Sequence, residues 1–493
     1  MCCNCCCGRT LQNVFVFGFG LVLATFGLVG VLYWETWADD MLFDALPLTP
    51  TSRTFGKWAI TPIPIYAYMY LFNWTNPEDV IAFNVKPSFE QMGPYVFREE
   101  RSKEDLVWHD NNTVTFHEKR TWFHEPALSN GSLDDPITCP HLPSIVASNV
   151  MRNKPRVVKK VFNRVLNQNG GSLYQTHTAN EWLFQGFYDP FLNYSMRFNN
   201  SNLPPIESDQ FAWFLGRNGS KEFEGDFTIH TGRGDLSQMG DLKFWKGQNQ
   251  TGFYEGNCGR INGSTSDLWA PNRAADEFIT IFITDTCRII NLVPTNQIIT
   301  IEGVPGVRYE TKPDTFDNGQ RNPRMKCYCP VDRQPDNCPK SGATDIARCT
   351  YGAPVYLSHA HFKYADPSYT DTYTVKDFNP DSERDGFFIV MEPKLGIPLQ
   401  VNGAVQMSVH LRRDKDIKIF KDIPDFYAPL FIMSMRALMS AELAKEIKFA
   451  LNLPSLGRNI SIGVLSLGCL LLAIGTCLII TKNWHGQKKK ETN

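Results

Sequence analysis

Six basic residues, Arg152, Lys154, Arg156, Lys159, Lys160 and Arg164, crowd a stretch with no opposing carboxylate. From Pro136 to Asn180 there is not one Asp or Glu in 45 residues. Such a cluster makes a local positive potential that draws in anionic ligands and weakens with salt. The bland alternative is a solvated helix face; the acid-free length favours a ligand-binding surface. Nucleic acid is a poor match, because no nucleic-acid module is recognisable and the formal net charge is −2. Anionic phospholipid, fatty acid or modified lipoprotein suits the charge better.

Other residues with chemical potential form weaker patterns. His359 and His361, two apart, would share one face of a strand and could hold a metal ion together, but no third ligand stands nearby. No metal and no cofactor is therefore expected. Arg233-Gly234-Asp235 is an adhesion-like tripeptide of a kind that arises by chance. No G-x-S-x-G elbow, phosphate loop or HExxH helix occurs, and nothing in the spacing of the 51 carboxylates argues for catalysis. The expected protein is not an enzyme.

The 14 cysteines fall into three groups. Cys2, Cys3, Cys5, Cys6 and Cys7 crowd the N-terminus, where S-palmitoylation beside a membrane helix is the better reading than metal binding. Cys469 and Cys477 sit in an apolar run as small apolar residues. Cys258, Cys287, Cys327, Cys329, Cys338 and Cys349 lie within 92 residues and read as disulfide partners, with fifteen pairings open. A zinc site on Cys327, Cys329 and Cys338 is disfavoured in an oxidising compartment. Cys139 stands apart as a free buried thiol.

These residues need elements to carry them. With 43% hydrophobic, 20% charged and 13% aromatic residues, the chain of 493 is ordered and long enough for a large core. Two stretches are long enough to span a bilayer as helices. One lies in the 25 uncharged positions between Arg9 and Glu35, the other in the 23 between Arg458 and Lys482. The first is followed by Tyr33, Trp34, Glu35, Thr36 and Trp37, too bulky for a signal-peptide cleavage site. Lys482, Lys488, Lys489 and Lys490 beyond the second span, and Arg9 before the first, place both termini in the cytoplasm. The expected organisation is a cytoplasmic tail (1–9), a span (10–34), an extracellular ligand-binding domain (35–457), a span (458–481) and a second tail (482–493). Eight Asn-x-Ser/Thr sequons agree, all in the outer loop: Asn73, Asn111, Asn130, Asn193, Asn199, Asn218, Asn249 and Asn262.

Within that loop, Trp58–Trp122 reads as short strands. Helix-like spacing comes next, at Ser144–Met151, Arg156–Asn167 and Asn180–Phe187. Strand signals return at Asp226–Thr231, Glu277–Thr284, Gln297–Glu302 and Phe387–Glu392. Leu399–Leu411 alternates apolar and polar residues, as a half-buried strand pair or one long strand does. Asp425–Leu451 reads as a long helix. The fold class is α+β: a large, mainly antiparallel β domain with inserted helices, held by two terminal transmembrane helices. Glycines in the spans (Gly18, Gly20, Gly27, Gly30, Gly463, Gly468 and Gly475) suit helix packing, within a chain or in a homo-oligomer.

The chain resembles the class B scavenger receptor family over both spans and the whole ectodomain. The resemblance is carried by Asn73–Val80 (NWTNPEDV), Gly93–Glu99 (GPYVFRE), Phe282–Ile289 (FITDTCRI), Cys327-Tyr328-Cys329, Ala353–Ala365 (APVYLSHAHFKYA) and Met391–Gln400 (MEPKLGIPLQ). The N-terminal cysteines and Asn73–Val80 are most similar to the croquemort type of phagocyte receptor. The resemblance implies an antiparallel β-barrel core, a helical apex at 142–187 and a lipid-sized tunnel. It also implies disulfides Cys258–Cys327, Cys287–Cys349 and Cys329–Cys338, and it puts Lys159 and Lys160 where the family carries binding lysines. The implied function is recognition of apoptotic cells, microbes or lipoproteins, with lipid uptake, at the plasma membrane or an endosomal or lysosomal membrane. Two other classes share parts of this pattern. A two-span ligand-gated ion channel has the same topology, but the second span lacks an acidic residue for a filter. A doubly anchored ecto-enzyme would need the motifs that are absent.

Overall fold

The computed structural model describes residues 4–197, 206, 208–274, 276–329, 338–350, 352–376 and 378–491, with side chains between 14 and 481. Asn199, Cys2 and Cys3 lie outside the described residues, as do the side chains of Cys5, Cys6 and Cys7. Two compact units form, Met1–Pro47 with Ala441–Asn493, and Leu48–Ser440.

Runs of Tyr, Phe, Val and Ile form the sheet of the larger unit. Its main strands are β1 (Ile65–Trp74), β2 (Ser88–His109), β3 (Thr113–His124), β4 (Asp226–His230), β5 (Leu242–Trp245), β6 (Ile279–Ile283), β7 (Arg288–Ile301), β8 (Val304–Thr311), β9 (Phe387–Glu392), β10 (Ile397–Leu411) and β11 (Phe426–Leu438). Their spatial order is β6-β7-β8-β9-β10-β11-β1-β2-β3-β4-β5. The chain thus winds as a cyclic antiparallel meander in which the last strand lies beside the first, Ile65 opposite Ala437 and Leu71 opposite Phe431. The free edges nearly meet. Leu242 N–H bonds Gly263 O at 2.7 Å, and Ser264 N–H bonds Thr280 O at 2.9 Å, so Gly263 and Ser264 bridge β5 to β6. Closing the edges in this way removes unpaired backbone groups.

One expectation is corrected here, and one left open is decided. The residues Phe426–Leu438 are a strand, not the start of a helix, and the helix begins only at Ala441. Their nearly continuous apolar run does not distinguish strand from helix. Pairing to both β10 and β1 decides it, with Pro429 beside a register shift. Leu399–Leu411 is one long strand covered on both faces. Of its polar residues, Asn402, Gln406 and Ser408 are buried and hydrogen-bonded. Asn402 Nδ2 donates to Glu383 O at 2.9 Å and Gly386 O at 2.8 Å, and His361 N–H donates to Gln406 Oε1 at 2.8 Å.

One face of the sheet carries Ala67, Met69, Tyr95, Phe97, Met433 and Met435, matched by register. Two residues further along β2 the same face turns charged. Arg101 pairs with Glu99, and Lys103 pairs with Glu118 and, at 2.8 Å, with Asp267. Arg217 joins Glu224 to Asp285, the latter at 2.7 Å. These charges lie between a large apolar core and a smaller one around Trp58, Phe116, Phe227 and Trp245.

Three disulfides join Cys258 to Cys327, Cys287 to Cys349 and Cys329 to Cys338, the pairs that the resemblance implies. Cys139 is a free, buried thiol, pushed well above its usual pKa by burial.

In the smaller unit, α1 (Asn4–Asp44) and the last helix (Ala441–Glu491) are long and apolar enough to cross a membrane. They pack antiparallel through glycines. A Cβ on Gly27 would meet Leu465 at 2.3 Å, and one on Gly468 would meet Ala24 at 2.3 Å. Gly18 and Gly463 face open space. Trp34 Nε1 donates to Leu453 O at 3.2 Å, and Arg458 pairs with Glu35 at 3.1 Å.

Candidate ligand-recognition surface

The basic stretch folds as two helices, α2 (Leu142–Met151) and α3 (Arg156–Gln168), held between strands Pro136–Pro140 and Tyr174–Thr178 that pair antiparallel. The third expected helix shrinks to a π-type turn, Glu181–Gln185, ended by Gly186 at φ +76°.

A buried polar chain fixes this region. His141 ring nitrogens lie 2.8 Å from Ser144 Oγ and 2.7 Å from Asp189 Oδ2. Asp189 Oδ1 accepts from Leu192 N–H at 2.7 Å and caps the helix Pro190–Met196. The trio has the residue types of a hydrolytic triad. All three side chains are closed to solvent and spent on holding segments together.

The six basic residues separate into two kinds. Residues 159, 162 and 166 share a helix face, and that face is buried through Phe162 and Leu166. Lys159 is carried inward with them. A buried ammonium needs a counter-charge, and Asp414 supplies it at 2.7 Å. Burial works against the Asp414 carboxylate, but the hydrogen bonds from Lys159 and the Asp416 N–H hold its pKa below the usual range. Arg152 is also committed, donating to Arg412 O at 2.7 Å and Arg413 O at 3.0 Å. Arg156 leans on Asp416 at 3.3 Å while staying exposed. Lys154, Lys160 and Arg164 are exposed, with no ion-pair partner among the described residues. Of the two lysines that the resemblance puts at binding positions, Lys159 is buried and paired with Asp414, and Lys160 is open to solvent.

The connection from β10 to β11 supplies what the sequence reading missed. It is the platform on which α3 rests. Asn163 Nδ2 donates to Asp416 O at 2.8 Å, and Asn163 Oδ1 accepts from Lys418 N–H at 2.9 Å. The same connection adds exposed Lys415, Lys418 and Lys421. Its signal was the run Arg412-Arg413-Asp414-Lys415-Asp416, whose mixed signs give no net cluster. Also missed were Val157, Val158 and Val161, exposed between the cations of α3.

His359 and His361 do not converge. His361 takes φ +58°, turning its ring to Asp385 at 3.4 Å. His359 Nε2 lies 3.0 Å from Thr311 Oγ1. No group of three or more metal-ligating side chains forms among the described residues. Of the sequons, Asn111, Asn130, Asn218 and Asn249 are exposed, while Asn73, Asn193 and Asn262 are half-buried.

The family model described as the CD36 family matches residues 18–479, from inside the first apolar helix to inside the second. The chain belongs to the CD36 family. Protein peste of Drosophila melanogaster is 32% identical over 90% of this chain and 78% of its own length. Scavenger receptor class B member 1 of Mus musculus is 30% identical over 95% and 91%. Lysosome membrane protein 2 of Mus musculus is 26% identical over 87% and 86%. Membership in this receptor-type family, with its two apolar terminal helices, makes the chain a membrane protein and supports a class B scavenger receptor role.

Proposed function

We propose that this CD36 family member captures particles bearing anionic lipid through the exposed cations of α3 and the β10–β11 connection. The chemical class covers anionic phospholipid, fatty acid and lipoprotein, as displayed on apoptotic cells or microbes. The observation that carries the reading is the exposure of Lys154, Lys160 and Arg164 beside Lys415, Lys418 and Lys421. On this reading residues 35–457 lie outside the cell, with the sequons glycosylated, both termini cytoplasmic and Cys2, Cys3, Cys5, Cys6 and Cys7 acylated. The methionine-rich apolar face of the nearly closed sheet supports passage of flexible acyl chains, since methionine adapts to irregular partners. Each buried CH2 contributes about 0.8 kcal/mol to such passage.

The test is binding of the full-length protein in neutral lipid discs to phosphatidylserine vesicles across salt concentrations. Salt-sensitive binding that Lys160→Glu with Arg164→Glu abolishes, at unchanged thermal stability, is the expected result. Equal binding to neutral vesicles, or indifference to the charge reversal, would remove the cations from the mechanism.

A further inference from the structure

The connection between β1 and β2 carries a second feature of this end of the barrel. The helix Pro77–Phe83 buries Val80 and turns outward at Asn84, whose φ of +51° closes its C-terminus by a hydrogen bond to Val80 O. The residues on either side of this turn are apolar and face outward. Ile81 is 38% exposed, Phe83 73% and Val85 40%, with exposed Lys86 next in the chain. Three exposed apolar side chains within five residues need an explanation in a soluble-facing loop.

The loop is rigidly based. Asn76 Nδ2 donates to Lys86 O at 3.1 Å, and its Oδ1 accepts from Ser88 N–H at 2.8 Å, stapling the two ends. Strand Thr374–Lys376 pairs with Ser88–Glu90 beneath it. A floppy loop would fold such side chains inward; this one holds them out.

Its position ties it to the cations. The Trp74 ring lies 5.6 Å from Phe426 and 5.9 Å from Tyr174. Phe426 ends the basic β10–β11 connection, and Tyr174 ends the segment bearing α2 and α3. Burial and the Glu78 carboxylate of the short helix together raise the pKa of the Tyr174 hydroxyl. Apolar prong, exposed valines and lysines therefore share the end of the barrel opposite Ile65 and Leu438.

We propose that Ile81, Phe83 and Val85 form a prong that inserts into the acyl region of an anionic phospholipid surface while the neighbouring lysines hold its headgroups. The inference rests on the cationic reading of α3 and adds to it a hydrophobic anchor. Lys86 after the prong, and Arg156, Lys160 and Arg164 around the exposed valines of α3, set apolar side chains beside positive charge, which matches the layered chemistry of a bilayer surface, apolar below and anionic above. A protein partner would not require that pairing.

The experiment uses the full-length chain in phosphatidylcholine discs, with an environment-sensitive fluorescent side chain installed at position 83. Vesicles of phosphatidylcholine with phosphatidylserine are added. Emission is expected to shift to the blue and to be quenched by lipids brominated along the acyl chain. Phe83→Ser is expected to weaken vesicle binding about tenfold, with its salt dependence retained. Vesicle binding with unchanged emission would overturn the prong and leave the cationic reading standing. No binding by the parent chain would overturn both. A blue shift that grows with protein concentration without vesicles would overturn the prong in favour of a second copy of the chain.

Discussion

Lys159 Nζ donates to Asp414 Oδ2 at 2.7 Å, with both side chains withdrawn from solvent. The pair joins α3 to the β10–β11 connection across 255 residues of sequence. Removing one partner leaves the other charge buried and unpaired, which costs about 3–5 kcal/mol. Lys159→Ala is therefore expected to lower the melting temperature and to reduce ligand binding through lost structure. Lys160→Glu should leave melting unchanged and reduce binding through charge. Circular dichroism melts beside vesicle binding separate the two; equal melting of both variants would contradict the assignment.

The same pair sets an acid limit. Asp414 is held below its ordinary pKa, so its contribution is complete above the unfolded-state value of about 3.9. It is lost only as pH falls through the lower folded value. α3 is expected to stay docked at pH of about 5. Hydrogen exchange across residues 156–168 at neutral and mildly acid pH checks this, and loss of protection at pH of about 5 would refute it.

His359 should act in a higher window. Burial, with Lys363 and Arg288 nearby, pushes its pKa down to about 3. The unfolded chain takes up that proton near pH of about 6.5, while the folded protein resists it. Stability is complete above that value and declines by about 1.4 kcal/mol per unit as pH falls below it. His359→Gln should flatten this slope between neutral and mildly acid pH in denaturant titrations. An unchanged slope would assign the acid sensitivity to other groups.

Lys103 faces Glu118 and Asp267 in the charged layer between the two apolar cores. Burial opposes the Glu118 carboxylate, and Lys103 and Arg120 hold it charged, well below its usual pKa. Lys103→Met should cost about 3–5 kcal/mol, with Glu118→Leu in the same chain recovering part of it. Chemical denaturation of the two variants tests this. If the second change adds further loss, the pair is not the unit that matters.

Gly27 and Gly468 let the terminal helices approach, since a Cβ on either would meet the partner backbone. Gly468→Leu should cost about 1–3 kcal/mol through overpacking, whereas Gly463→Leu, which faces open space, should cost little. Crosslinking through Gly30→Cys and Ser461→Cys, whose side chains would touch, reads the helix pair directly. Equal crosslinking in both leucine variants would count against glycine-mediated packing.

Much of this was legible in local chemistry. Two uncharged apolar runs had to become membrane-length helices, because their composition leaves no other place for them. The isolation of Cys139 from the six clustered cysteines marked it as unpaired. Alternation along Leu399–Leu411 and the β-rich run Phe387–Glu392 were enough to place strands there. What the sequence could not determine were properties set by distant neighbours. Lys159 and Lys160 are adjacent and chemically identical; the helix turn puts one on the Phe162–Leu166 face, where Asp414 awaits it, and leaves the other in water. Phe426–Leu438 is apolar enough for either helix or strand, and only pairing with β1 and β10 makes it a strand. Asn402 and Gln406 look like a solvent-facing edge until residues 359–386 cover them and accept or supply their hydrogen bonds. Local pattern determined the two spans, the helices of the basic stretch and most of the strands; long-range pairing decided the strand at Phe426–Leu438, which charges are spent inside and which remain for a ligand.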